Sequence, residues 1–444
     1  MSPIPISPRR RAVEQLVRVE EGRAFVGLIG ASEEGTSQDA RDERQTTEYV
    51  AGVTRWRRWL DFVLDQFYHG SVERVEPVLK QILRVGAYDL LMLGTPPHAA
   101  VNEAVSLAKS MVRPDAGRLA NGVLRSLDRG REALAKPTGP EADRLAVRHS
   151  HPTWMVERWL GRLGREGTIA LLQSNNARPI YGLRVNTLVG SPEDFRASLE
   201  ENEIEYENSP FLSYFVRVRH LQGLFRTGLV AAGTCAIQDE GAGLVVCALD
   251  PQPGERILDL CAAPGGKALH AAQLMQNHGE VLAVDVNAAR LRLVERAAAV
   301  QRVDVVRTLA ADARTLDPAE LGLWDRVLLD APCSGLGVLA KRADLRWNRR
   351  VEDFTELVAL QDALLEAAAR LVRPGGVLVY ATCSIEPVEN EARVEAFLQR
   401  YPAFVPERPI PSLPDEVLSS EGFLLTHPPV HQTDGAFAAL LRNS

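Results

Sequence analysis

Lysine is nearly missing from this chain: of its 51 basic residues only Lys80, Lys109, Lys136, Lys267 and Lys341 are lysine, and all the others are arginine. Arginine suits planar, two-pronged contacts to phosphate, but a GC-rich genome gives the same excess and is the favoured explanation. Cysteine is scarce too. The five, at positions 235, 247, 261, 333 and 383, lie no closer than 12 residues apart, so there is no Cys-x-x-Cys pair. That spacing excludes a zinc ribbon, a redox dithiol and a disulfide scaffold, and leaves each cysteine to matter as a single thiol. No apolar run approaches the roughly 18 residues of a membrane-spanning helix. The first residues, Met1 to Arg11, lack the apolar core of a secretory signal, which places the chain in the cytoplasm. No acid occurs before Glu14, so an organelle transit segment is the alternative. The net charge of −7 argues against a protein that coats nucleic acid nonspecifically.

What is present suits a soluble globular protein: 45% hydrophobic and 25% charged residues over 444 positions, enough for two to three domains. Charge is unevenly spread, with 20 basic against 18 acidic residues in 1–136 and 31 against 40 in the remainder. From Val13 to about Leu127 apolar residues recur at helical spacing, as in Val53, Trp56, Leu60 and Val63, and again from Val78 to Leu93. Thr95-Pro96-Pro97 breaks the run, and two helices follow, around 99–111 and 118–127. Residues 1–136 therefore read as an all-helical domain, closed by the linker Lys136-Pro-Thr-Gly-Pro140. Its phrases His98-Ala-Ala-Val-Asn-Glu-Ala-Val-Ser-Leu-Ala-Lys109 and Arg118-Leu-Ala-Asn-Gly-Val-Leu-Arg125 resemble the antitermination factor NusB and its RNA-binding relatives. The plainer reading is a packing domain in which Asn102 and Asn121 cap or bridge helices.

Residues 145–235 read as a small α+β subdomain: a helical stretch from His151 to about Asn176, a strand at 180–186, a helix at 193–201 and a strand at 215–218. From 236 to 444 strands alternate with helices. Strands are expected at 256–260, 281–284, 305–308, 326–329 and 377–381, and helices near 267–275, 288–299, 354–372 and 388–399. This order means a parallel sheet covered on both faces, whose ligands bind at the carboxyl ends of the strands.

The first strand ends in Asp259-Leu-Cys-Ala-Ala-Pro-Gly-Gly-Lys267, where two glycines let backbone approach a ligand and a helix N-terminus offers free amides. It is neither a P-loop nor a G-x-G-x-x-G fingerprint. Asp285, at the end of the second strand, is placed to grip the two hydroxyls of a ribose, or else to cap the helix from Ala288. Asp312 follows the third strand and can accept from an adenine amino group. The fourth ends in Asp330-Ala-Pro-Cys-Ser-Gly-Leu-Gly337. Four such features in register describe an adenosine without a triphosphate cradle, which is S-adenosylmethionine.

Cys333 lies just past the fourth strand and Cys383, in Tyr380-Ala-Thr-Cys-Ser384, just past the fifth; Cys235 and Cys247 read as buried small hydrophobes. Two thiols beside a methyl donor suit cytosine, whose C5 is a poor nucleophile until a thiolate adds to C6. The attacking cysteine needs a pKa below the free value of about 8.5. Ile237-Gln-Asp-Glu240, Leu258–Lys267, Asp330–Gly337, Tyr380–Glu386 and Asp434-Gly-Ala-Phe437 resemble the RNA (cytosine-5)-methyltransferases, and with the NusB-like front the likeness spans nearly the whole chain. The resemblance implies an all-α NusB-like domain, a small α+β subdomain and an α/β Rossmann-like S-adenosylmethionine-dependent methyltransferase domain. It implies Cys383 as nucleophile and Cys333 as the residue that assists product release. Because DNA cytosine-5 methyltransferases attack from a Pro-Cys motif, Cys333 is the alternative nucleophile. Cofactor roles carry over to Cys261, Ala262, Ala263, Pro264, Gly265, Gly266, Lys267, Asp285, Asp312 and Asp330.

The implied substrate is 16S ribosomal RNA, for which Lys341, Arg342, Arg346, Arg349 and Arg350, around Trp347, offer phosphate contacts and a stacking surface. A solvated helix start is the plainer alternative there. The histidines do not cluster, so no metal is expected; a monomer without a membrane partner is the expectation. Competing functions are a methyltransferase on another base, on another RNA such as tRNA or on protein, and a noncatalytic ribosome-assembly or antitermination factor.

Overall fold

The computed structural model describes residues 7–22, 37–408 and 413–444; residues 1–6, part of the segment weighed above as a leader, lie outside them. The chain forms two compact units, one of residues 1–177 with 339–348, the other of 178–338 with 349–444.

The first unit is helical: α1 (Pro8–Glu20), α2 (Ser37–Asp65), α3 (Pro77–Leu91), α4 (Pro97–Met111), α5 (Pro114–Gly130), α6 (Glu141–Arg148) and α7 (Thr153–Asn176). Proline opens α1, α3, α4 and α5, where its missing amide costs nothing and its fixed φ suits the first turn. Ser7 caps α1 by accepting from the Arg10 amide. Helix α3 is buried from Leu79 to Leu90, the mark of a helix surrounded by its neighbours. Its Asp89 carboxylate, fully buried, accepts from Arg9, Tyr49 and Thr95.

In the second unit β1 (Tyr181–Val185), β2 (Glu207–Asn208), β3 (Phe215–Val218) and β4 (Cys235–Ile237) form an antiparallel sheet in the order β2-β3-β1-β4. Ser191 and Asp194 make a capping box that starts the helix Pro192–Glu201, which packs Phe195 and Leu199 on that sheet. The main sheet contains β5 (Arg256–Leu260), β6 (Glu280–Asp285), β7 (Val306–Ala310), β8 (Trp324–Asp330), β9 (Val372–Thr382), β10 (Phe404–Glu407), β11 (Leu424–Leu425) and β12 (Phe437–Asn443). Its order is β10-β12-β9-β8-β5-β6-β7, with β11 beside β12.

Strands β5 to β9 pair in parallel, as the alternation with helices implies. The edge beyond β9 departs from the expected all-parallel sheet, because β12 runs antiparallel between β9 and β10. The cause is where β12 starts. The Gly435 amide donates to the Gly337 carbonyl at the ligand edge, so the strand can only run back down the sheet. The parallel register pairs Leu260 with Val284 and Leu329, and Asp330 with Ala381, so the strand ends that carry the candidate residues lie side by side.

Candidate active site

Past Leu260 the backbone turns sharply. Cys261 takes φ 62° and Gly265 φ 100°. Both φ values are positive, and at Gly265 a Cβ would meet Val294 at 2.8 Å, so glycine is required there. Beyond it the helix Gly266–Leu274 begins without a side-chain cap at Gly265, and its first-turn amides have no partner within the helix. A Cβ on Gly266 would find nothing nearer than Gln238 Nε2 at 3.9 Å, so the loop has room on its ligand side.

Asp285 closes the neighbouring strand. Its two oxygens accept from the amides of Ala263, 3.1 Å, and Asn287, 2.8 Å. The capping role weighed for Asp285 falls to Asn287, which accepts from Ala289 and Arg290. Arg290, which carried no signal in the sequence, donates to the Ala263 carbonyl and lies 3.8 Å from Asp285. Asp312 follows β7 and is gripped by Arg314 at 2.6 Å, which holds its carboxyl below the ordinary range.

Lys267 Nζ donates to Asp330 Oδ2 at 2.6 Å. Burial opposes the ammonium charge, but Asp330, then Cys383 and Asp259, outweigh it and raise its pKa. Burial, with Asp330 second, pushes the Asp259 carboxyl up to about 8. Burial and the ring of aspartates likewise push the Cys261 thiol up to about 12, so it remains a thiol. Burial also raises Cys235 to about 12 and Cys247 to about 11. An open glycine loop, a carboxylate at the next strand end and a half-buried ammonium with its own counterion fit an adenosine that carries a sulfonium and an amino acid.

The Sγ atoms of Cys333 and Cys383 are 3.3 Å apart. Cys333 is buried and Cys383 half-buried. The hydrogen bond to Cys383, followed by burial, raises Cys333 well above the ordinary thiol value, and either sulfur can donate to the other. Around the pair stand residues that the sequence did not single out: Ser334, Ser384, Gln361 and Glu389. The repeated Cys-Ser dipeptide, at 333–334 and 383–384, was the available signal for the serines.

Known proteins match most of the chain. The description 16S rRNA methyltransferase RsmB/F matches residues 246–442, the NusB family matches 6–129, and the ferredoxin-like domain of RsmF/B-like methyltransferases matches 151–221. A protein of Bacillus subtilis named probable ribosomal RNA small subunit methyltransferase B is 32% identical over 98% of each chain. The ribosomal RNA small subunit methyltransferase B of Yersinia pseudotuberculosis is 36% identical over 88% of this chain and 89% of its own. A methyltransferase homolog from Pyrococcus horikoshii superposes with TM-score 0.60 at 28% identity, over 69% of this chain and all of its own. The chain belongs to the RsmB/F methyltransferase family.

In this family member the basic segment 341–350 divides in a way its composition does not reveal. Arg346 is fully buried in the first unit. Its guanidinium donates to the carbonyls of Arg55, Ser150, Asn175 and Leu339 and to Asn176 Oδ1. It is therefore withdrawn from the phosphate-binding set, and burial holds its pKa well below the ordinary value. Trp347, expected to stack on a base, instead donates to the Thr54 carbonyl at 2.6 Å and lies under Arg57. Lys341 and Arg342 are half-buried, with Arg342 on Asp344. Arg349 donates to the Cys333 and Ser334 carbonyls, both at 3.0 Å. Arg350 is exposed. Among the described residues no helix is long and apolar enough to cross a membrane, and no group of His, Cys, Asp or Glu could hold a metal ion.

Proposed function

We propose that this protein methylates C5 of a cytosine in 16S ribosomal RNA through a covalent adduct between Cys383 and C6. The observation that carries the reading is the 3.3 Å approach of the Cys333 and Cys383 sulfurs, at adjacent strand ends beside the Lys267–Asp330 pair. The names of the relatives supply the substrate class. The resemblance assigns Cys383 as nucleophile, and Cys383 is the more exposed of the two thiols.

The Cys383 thiolate adds to C6, and the C5–C6 π electrons move onto C5. S-adenosylmethionine, when bound, supplies an electrophilic methyl group to that carbon. Cys333 is assigned to release: its sulfur takes the C5 proton as a thiolate, the C5–H electron pair re-forms the C5–C6 double bond, and the C6–S bond breaks to return the Cys383 thiolate. The backbone of 261–267 would hold the amino-acid and sulfonium end of the cofactor, Asp285 the ribose, and Asp312 and Asp330 the remaining polar groups. Lys341, Arg342 and Arg350 would contact the RNA backbone in the cytoplasm, where ribosomes assemble.

The test is to mix each cysteine variant with 16S RNA and the cofactor and run denaturing gels. Cys383→Ser should abolish methylation and leave no durable adduct. Cys333→Ser should attack, transfer the methyl group and stall, trapping RNA as a stable complex. The reverse pattern would make Cys333 the nucleophile, and methylation in both variants would sink the cytosine-5 reading. Bisulfite mapping of total RNA with and without the protein identifies the base.

A further inference from the structure

Glu389 stands in the turn between β9 and the helix Glu391–Arg400 and is fully buried. Its Oε1 accepts from the Ser334 amide at 2.7 Å and from Gln361 Nε2 at 3.1 Å. Its Oε2 accepts from the hydroxyls of Ser334 and Ser384, which are 3.2 Å from each other. One carboxylate thus joins two loops 50 residues apart, and on each loop it grips the residue immediately after a site cysteine. Gln361 also donates to the Pro332 carbonyl, one residue before Cys333.

The far side of the pair is fixed by backbone. The Gly337 amide donates to the Cys383 carbonyl at 3.0 Å, and the Gly435 amide to the Gly337 carbonyl at 2.8 Å. A Cβ on Gly337 would lie 2.8 Å from the Cys383 carbonyl oxygen, closer than real Cβ contacts allow. Arg349 ties down the Cys333 and Ser334 carbonyls from a third direction. Of these braces only Glu389 bonds side chains of both cysteine loops at once. Its own backbone is anchored as well, since Tyr380 donates to the Glu389 carbonyl at 2.6 Å.

We propose that Glu389 is the positioning residue that sets the separation of the two site sulfurs by clamping Ser334 and Ser384. This assignment rests on the covalent reading above. A carboxylate is suited to the task because it presents two acceptor oxygens with about four lone-pair sites, and all four donors here converge on them. Loss of the clamp leaves two hydroxyls, an amide and a carboxamide without their partner in a dry interior, and the loops separate to find others.

The experiment follows adduct formation in the Cys333→Ser background, together with kcat and KM in the otherwise native chain. Glu389→Ala should slow both adduct formation and kcat, by about 10²-fold if the sulfurs shift by an ångström, with cofactor affinity and RNA KM unchanged. Glu389→Gln should restore most of the rate: its oxygen still faces the two N–H donors, and its amide can donate to serine hydroxyls that rotate to accept. Should Glu389→Ala fail to fold, the Ser334→Ala/Ser384→Ala double variant removes the hydroxyl half of the clamp and should slow the adduct in the same way. An undiminished adduct rate in the folded variants, or a Glu389→Gln as slow as Glu389→Ala, would overturn the assignment. Absence of adduct with Glu389 intact would instead overturn the covalent reading, and this assignment with it.

Discussion

Asp259, next to last in the strand Arg256–Leu260, has both carboxylate oxygens out of reach of water. Its folded pKa of about 8, against an ordinary value of 3.8, has a measurable consequence. Between those two values the unfolded chain has released the proton and the folded chain keeps it, so stability falls as pH rises through the window and levels off above about 8. The slope is at most about 1.4 kcal/mol per pH unit. Asp259→Asn mimics the protonated form and should flatten this part of the profile, as followed by thermal unfolding of the unliganded chain between pH 4 and 9. A variant with the native slope would assign the loss to other groups. At this scale much was legible in the sequence. Asp285 and Lys267 are found at strand ends because a short apolar run followed by an acid or a glycine loop marks the ligand edge of a parallel sheet. Glu389 was not legible, since nothing near it in the chain distinguishes it from any glutamate at a helix start.

Among the elements, the segment 339–348 departs most from its sequence reading. Arginines around a tryptophan resemble a surface for nucleic acid, yet the side chain of Arg346 is buried beneath carbonyls of α2 and α7 and the loops beside them. Arg346→Ala should therefore lower the denaturant midpoint, through a loss of at least about 1–3 kcal/mol in unfolding free energy, the cost of one buried acceptor left without a donor. Arg346→Lys should recover only part of this, because an ammonium lacks the planar fork that reaches several carbonyls at once. Arg350→Ala should leave the midpoint alone and make the salt dependence of RNA binding shallower, by about 0.7 in the log–log slope for each phosphate no longer neutralised. An unchanged slope would mean that Arg350 merely faces solvent. Helix and strand positions, by contrast, were largely readable from periodicity. The helix expected from Val388 begins at Glu391 because Ser384 to Asn390 are engaged in the turn that clamps the cysteine loops.

At the scale of the whole molecule, segment 339–348 interrupts the second unit in sequence but packs with the first. Hydrogen exchange should show it: the amides of Leu345–Asn348 are expected to exchange in step with α2 and α7 rather than with the helix Asp353–Leu371. Exchange in step with that helix would assign the segment to the second unit. The sequence alone was sufficient for the order of domains, the parallel run from β5 to β9, and the placing of the glycine loop and the two cysteines at the carboxyl ends of those strands, because each is written in local spacing: a period of 2 or 3.6, a glycine pair, an acid after an apolar run. Only the tertiary structure decided the burial of Arg346, the antiparallel entry of β12 and the convergence of Ser334, Ser384 and Gln361 on Glu389. Those depend on which groups meet across gaps of 5 to nearly 300 residues, and a hydrogen bond or a buried charge is settled by its partner in space rather than by its neighbours in the chain.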